Sequence, residues 1–378
     1  MARVFVVADN MLTPMGSTSF QNFEGMKAGI NGVRIHDNPT LSNVPFCASV
    51  FSDQSLFNLP NYTKFEQLLI NSIQEAVSKT TISLNDPETI LILSSTKGNI
   101  SLVETEPYTH ELRKRISLHH SAALVADHFN AINKPVVVSN ACISGLAAML
   151  VAKRLIDSGR YKNAIVAGAD VISRFVLSGF QSFQAVSESL CKPFDQNRKG
   201  INLGEGAATI ILTSNPKHIH DQEQIVLEAG AISNDANHIS GPSRTGEELN
   251  IAIQRSMQMA GIKAEDIDWI STHGTATIYN DEMEAKAIAL AQLQHKPLNS
   301  LKGFFGHTLG AAGLLESVAG IYSLKTNTIL PTPGFETLGV SASVNVIKEP
   351  VQMPLNRFLK TASGFGGCNA ALIFSKQR

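Results

Sequence analysis

Charge is scarce in this chain. Only 17% of its 378 residues are Asp, Glu, Lys or Arg, and the 31 basic and 32 acidic side chains leave a formal net charge of -1. A near-neutral chain has no global field to draw it to nucleic acid or to an anionic membrane, so neither partner is expected. Cysteine is sparse as well. The four residues, Cys47, Cys142, Cys191 and Cys368, form no C-x-x-C pair and no disulfide-framework spacing, which favours a reducing, cytoplasmic setting. No apolar run is long enough to span a bilayer, and a strand-like segment begins by Arg3, so no signal peptide is expected. The 15 prolines and 27 glycines are punctuation, without low-complexity tracts.

What the chain has is alternation. At 378 residues it exceeds one ordinary core, so two domains or one duplicated domain is the starting expectation. Apolar stretches at Val4 to Val7, Thr89 to Leu93, Val136 to Val138, Ala164 to Ala167 and Ala207 to Leu212 read as buried strands. Between them lie helical patterns. In Thr63 to Lys79, for example, Phe65, Leu68, Leu69, Ile73 and Ala76 share one face. Continuous apolar strands alternating with helices imply a sheet covered on both sides. A polar, turn-rich joint at Thr213 to Gln224 follows, and then the order recurs without residue-level repetition. Ile225 to Ala229 and Ile267 to Ser271 read as strands, and Glu247 to Met259, Asp281 to Ala291 and Gly310 to Leu324 as helices. Short strands at Ser343 to Val346 and Ala370 to Phe374 close the chain. The expected fold class is α/β and pseudo-duplicated, with halves 1–215 and 225–378.

Four stretches suit chemistry. In the first, the Val136 strand runs through Ser139-Asn140-Ala141 into Cys142, and a small-residue helix starts at Ser144. A cysteine at a strand-to-helix turn sits near unsatisfied helix N–H groups, which favour thiolate. A buried structural cysteine is an equal reading of that stretch alone. The other three are loops expected beyond the carboxyl ends of strands, where ligands bind in such sheets. Ser271 to Thr277 sets His273 among small hydroxyl residues; alone, it suits a structural histidine better than a catalytic one. Lys302 to Gly313 sets His307 among glycines, and Lys302 and Glu316 either pair to orient it or stay solvated. Ser363 to Asn369 is glycine-rich enough for a strained turn aiming an N–H at a ligand.

Together these stretches resemble the elongating 3-oxoacyl-acyl-carrier-protein synthases of the thiolase-like condensing-enzyme superfamily. The resemblance runs from Asn10-Met11-Leu12-Thr13-Pro14-Met15-Gly16 through Asn140 to Gly145, Pro193-Phe194-Asp195 and Gly204 to Ala207. It continues through His273 to Thr277 with Asn280-Asp281, Lys302 to Gly313, and Gly364 to Asn369. The resemblance implies a five-layer αβαβα fold. It also implies a catalytic set of Cys142, His273 and His307 with no metal, supported by Lys302 and Glu316. Cys142 takes an acyl group, and the histidines hydrogen-bond a malonyl carbonyl as carbon dioxide leaves. The N–H groups of Cys142 and Phe365 form an oxyanion hole, with Phe365 also at the gate, and Thr275 and Thr277 hold the pantetheine arm. No cofactor is implied beyond the phosphopantetheine carried by the partner, acyl carrier protein. A dimer is implied too, either a homodimer or a ketosynthase heterodimer pairing near Pro135 to Ser139.

Several residues depart from the pattern. Ser363 stands where a second gating phenylalanine is common, and Cys368 where threonine is usual. The segment before Cys142 is short, and Lys64 is the single lysine of Asn61 to Lys64, where a basic cluster often meets the acidic carrier. Ser94 to Asn99 falls where the family lines its acyl pocket, which would bring Lys97 towards the acyl tail. These departures keep open a specialised type II polyene or polyketide pathway, and a non-catalytic chain-length partner as a further alternative.

Overall fold

The computed structural model describes residues 3–52, 56–219, 223–236 and 241–377. Ten strands make its frame. The first five are β1 (Phe5–Leu12), β2 (Thr89–Ser94), β3 (Val136–Val138), β4 (Asn163–Asp170) and β5 (Gly206–Thr213). The second five are β6 (Gln224–Asn234), β7 (Trp269–Ser271), β8 (Pro297–Asn299), β9 (Arg357–Gly364) and β10 (Cys368–Gln377). They join in the order β3-β2-β4-β5-β1-β6-β10-β9-β7-β8, with a short strand Asn345–Val346 beyond β8. In the first half β1–β5 and β5–β4 are antiparallel, and β4–β2 and β2–β3 are parallel. In the second, β6–β10 and β10–β9 are antiparallel, and β9–β7 and β7–β8 are parallel. Each half thus orders its strands first, fifth, fourth, second, third. The repetition that residues do not display is present in the topology.

The halves touch through a short antiparallel pairing, Phe5 with Val226 and Val6 with Ile225. The expected joint spans residues 220–222, which lie outside the described residues.

Six helices complete the layers: α1 (Lys64–Val77), α2 (Leu118–His128), α3 (Ser144–Asp157), α4 (Glu247–Ala260), α5 (Ile278–Leu290) and α6 (Ala312–Thr326). α1 and α2 cover the outer face of the first half, and α4 and α5 that of the second. α3 and α6 pack on each other and against strands of both halves, which makes the middle layer of a five-layer αβαβα fold. The middle helices explain their own composition. A helix enclosed on all sides needs apolar residues all round, and α6 buries twelve of its 15, from Ala312 to Leu324. The two helices cross tightly at their first turns. A Cβ on Gly145 would lie 2.9 Å from the Leu314 nitrogen, and one on Gly313 would lie 2.9 Å from Leu146 Cγ.

Two expectations change. Val136–Val138 is only partly buried, because β3 is an edge strand with β2 on one side and no described strand on the other. β9 was not anticipated at all: Arg357, Lys360 and the hydroxyl residues interrupt the apolar pattern, although all but its two ends are buried.

Candidate active site

The turn before α3 is built to hold a side chain rigidly. Ala141 has φ 42°, a left-handed value that non-glycine residues seldom adopt. Ser144 Oγ clamps it, donating to the Ala141 carbonyl at 2.6 Å and accepting from the Asn140 N–H at 2.8 Å. The Cys142 that follows is buried. The turn between β9 and β10 lies directly on it: a Cβ on Gly364 would be 2.9 Å from the Cys142 nitrogen and 3.0 Å from Cys368 Sγ.

His273 leaves the end of β7, and α5 anchors its backbone. The His273 and Gly274 N–H groups donate to the two oxygens of Glu284, at 2.8 and 2.7 Å. His307 follows Gly306, whose φ of 71° turns the chain into the cavity. The Leu309 N–H donates to His307 Nδ1 at 3.2 Å, which assigns the proton of a neutral ring to Nε2. The two rings lie edge to face with centroids 5.1 Å apart. The Cys142 sulfur and one nitrogen of each imidazole all lie within 4.8 Å of one another.

Burial dominates the electrostatics. It lowers both histidines well below their usual range, and Lys302 lowers both further. The pair is therefore neutral at pH 7. Burial also pushes the Cys142 thiol up to about 12, against a smaller downward pull from Lys302. Burial therefore opposes the thiolate that a helix N-terminus favours. The ground state is a thiol beside two neutral imidazoles. Lys302 and Glu316 are fully buried and paired, not solvated, and Lys360 joins them 2.7 Å from the second Glu316 oxygen. None of these three bonds to the His307 ring among the interactions resolved; Leu309 does.

Cys142, His273 and His307 line a cavity of about 280 Å³ together with Thr275, Thr277 and Phe365. The two threonine hydroxyls are 2.8 Å apart. Phe365 stacks on Phe180 and meets Phe183 edge-on, each with centroids 5.6 Å away, and this aromatic group flanks the cavity. Ser363 also lines the cavity, its hydroxyl turned to Asn369 Oδ1 at 2.7 Å. Ser94 to Asn99 does not line it. Asp170 clamps that loop through Ser95 Oγ at 2.8 Å and the Lys97 N–H at 3.2 Å, and the Lys97 ammonium sits over Phe175. The sequence reading missed Lys360, Glu284 and the Phe180–Phe183 pair.

Family models settle the wider relationship. The beta-ketoacyl synthase N-terminal domain matches residues 53–218, and the C-terminal domain matches residues 225–336. The chain belongs to the beta-ketoacyl synthase family. A 3-oxoacyl-[acyl-carrier-protein] synthase 2 of Staphylococcus aureus (strain N315) is 26% identical to this synthase, covering 99% of the chain and 98% of that protein. A putative polyketide beta-ketoacyl synthase 1 of Streptomyces cyaneus is 30% identical over 80% of the chain and 74% of that protein. A solved ketosynthase in complex with its chain length factor, from Xenorhabdus doucetiae, shares the fold at a TM-score of 0.88 and 24% identity, covering 100% of this chain and 98% of that one. This synthase is accordingly an acyltransferase-type condensing enzyme with a thiolase-like fold. Among its described residues no helix is long and apolar enough to cross a membrane.

Proposed function

We propose that this synthase performs a decarboxylating Claisen condensation between an acyl group on Cys142 and a malonyl group on acyl carrier protein. The observation that carries this is the thiol held within 4.8 Å of two imidazole nitrogens in one cavity. In loading, Cys142 gives its proton to a neutral imidazole as its sulfur attacks the carrier thioester. The carrier thiol leaves with that proton. In condensation, the malonyl carboxylate leaves as carbon dioxide, and its bonding electrons pass to the thioester carbonyl as an enolate. N–H groups of His273 and His307 stabilise that oxygen. The enolate carbon attacks the Cys142 thioester, the sulfur leaves as a thiolate and takes a proton from water, and the product is a 3-oxoacyl chain two carbons longer.

The remaining roles are part of the same proposal. The N–H groups of Cys142 and Phe365 receive the tetrahedral oxyanion, and Gly364, which precedes Phe365, lets that turn lie against the Cys142 nitrogen. Thr275 and Thr277 hold the pantetheine arm, which belongs to the carrier, so the enzyme itself needs no cofactor. Lys302 and Glu316 support the histidines from behind. The cytoplasm is the proposed setting.

A specialised type II polyene or polyketide pathway is favoured over membrane fatty acid synthesis by Ser363 and by the aromatic group around Phe365, which suits flat, conjugated chains. The Streptomyces cyaneus relative, a putative polyketide beta-ketoacyl synthase, supports the same reading. The open edge of β3 offers a place for a second synthase-like chain, identical or not, to extend the sheet.

Intact mass after incubation with a panel of acyl carriers tests the proposal. Covalent loading that maps to Cys142 and vanishes in Cys142→Ala is expected. Loading on another residue would overturn Cys142 as the nucleophile, and reversible binding alone would instead mark a chain-length partner.

A further inference from the structure

Four charged side chains lie fully buried behind the histidines: Lys302, Lys360, Glu316 and Glu284. Two cations face two anions, so the cluster is neutral as a unit. Lys302 and Glu284 have evident tasks near the loops they hold, while Lys360 has none in the reaction described above. Its position in the sheet is specific. Lys360 is register partner to Ser271 across β9 and β7, at the point where β7 gives way to Thr272 and His273.

There the ammonium donates to three carbonyls, Ser271 at 3.1 Å, Thr272 at 2.9 Å and Thr361 at 2.9 Å. It also lies 2.7 Å from Glu316 Oε2, while Lys302 holds Oε1. Glu284 completes the enclosure. It accepts from the His273 and Gly274 amides, and from Thr361 Oγ1 at 2.6 Å. The peptide carrying His273 is thus gripped from both sides, its preceding carbonyls by Lys360 and its amides by Glu284. Burying an ammonium is unfavourable, and an apolar side chain could fill a sheet position without that penalty.

We propose that Lys360 is a positioning residue for the histidine pair, fixing the peptide that carries His273 and sharing with Lys302 the positive charge behind both rings. The charged and titratable groups around the rings are Lys302, Glu316 from α6, Lys360 from β9, Glu284 and Asp281 from α5, and Cys142 from the turn before α3. Of these, the two lysines oppose protonation of both imidazoles, and His307 itself opposes protonation of His273. Lys360 appears among the groups lowering both histidines, which agrees with its placement. Its effect on catalysis rests on the condensation reading above; its effect on the rings does not.

The test therefore reads the rings directly. Nitrogen NMR titrations of His273 and His307, assigned with single alanine variants, are compared in wild type and Lys360→Met. Lys360→Gln, which keeps a donor for the carbonyls, serves where Lys360→Met does not fold. Loss of the charge should raise both titrations by on the order of one pH unit. Loading of Cys142 at low pH should then fall about tenfold, with the KM for malonyl carrier unchanged. Titrations that stay in place in a folded variant, with only a lower melting temperature, would reduce Lys360 to a structural tie and overturn the proposal. Titrations that move in a protein that never loads Cys142 would uphold Lys360 and defeat the condensation reading.

Discussion

If burial holds the Cys142 thiol near 12, the resting enzyme should be hard to alkylate. At pH 7 such a thiol is roughly 0.001% thiolate, against about 3% for an ordinary cysteine. That difference alone is about three thousandfold. A more basic thiolate is also a better nucleophile, and a Brønsted coefficient of about 0.4–0.5 over ~3.5 units returns roughly fortyfold. Iodoacetamide should therefore modify Cys142 about a hundredfold more slowly than an exposed thiol at pH 7, at equal access. The rate should climb about tenfold per pH unit to pH 10, without a plateau, because the thiol remains well below its midpoint. Acyl loading should behave differently. There the bound thioester allows attack as an imidazole takes the proton, so the loading rate should change little between pH 7 and 9. Both are followed by intact mass at short times, with the site confirmed by peptide mapping. An alkylation plateau with a midpoint below about pH 8 would refute the reasoning and restore a resting thiolate.

Two further outcomes follow from the geometry. Gly364→Ala places a methyl within 3.0 Å of the Cys142 nitrogen, Ala141 Cβ and Cys368 Sγ; it should cost about 1–3 kcal/mol in urea denaturation and slow Cys142 loading far more than that loss of stability implies. A variant loading at full rate would mean the turn gives way freely. Alanine at His273 or His307 should cut carbon dioxide release from malonyl carrier by about a hundred- to a thousandfold, and release at the wild-type rate in both would withdraw their role.

The sequence carried the site where chemistry coincides with local backbone demands. Cys142 stands in a run of small residues because the turn is tight and the helix beyond it is enclosed. His273 and His307 sit beside glycines at positive φ, Gly274 at 34° and Gly306 at 71°. What depends on through-space neighbours was not legible. Lys360 in a strand reads as an outward-facing charge until β7 is laid beside it and Glu316 reaches in from α6. The Lys97 loop is held by the Asp170 carboxylate, which also takes the Gly310 N–H three residues after His307, a tie that no local pattern shows. The cysteine's protonation depends on both kinds of neighbour: the helix end is local and visible in the sequence, whereas the depth of burial is not.

The crossing of α3 and α6 has a reciprocity that bears on how such a site can exist. The second residue of each helix is glycine and the third leucine, and each glycine meets the other helix's leucine. A contact in which i touches j while j touches i is the mark of an isologous interface between identical subunits. Here it occurs within one polypeptide, between halves with the same strand order. A half paired with a copy of itself would set like against like across that axis, two thiols or two imidazoles. Joining the halves covalently removes the obligation to match. One helix can then be entered through Cys142 and the other through the loop of His307, so that a nucleophile faces its proton acceptor over a nearly symmetric floor.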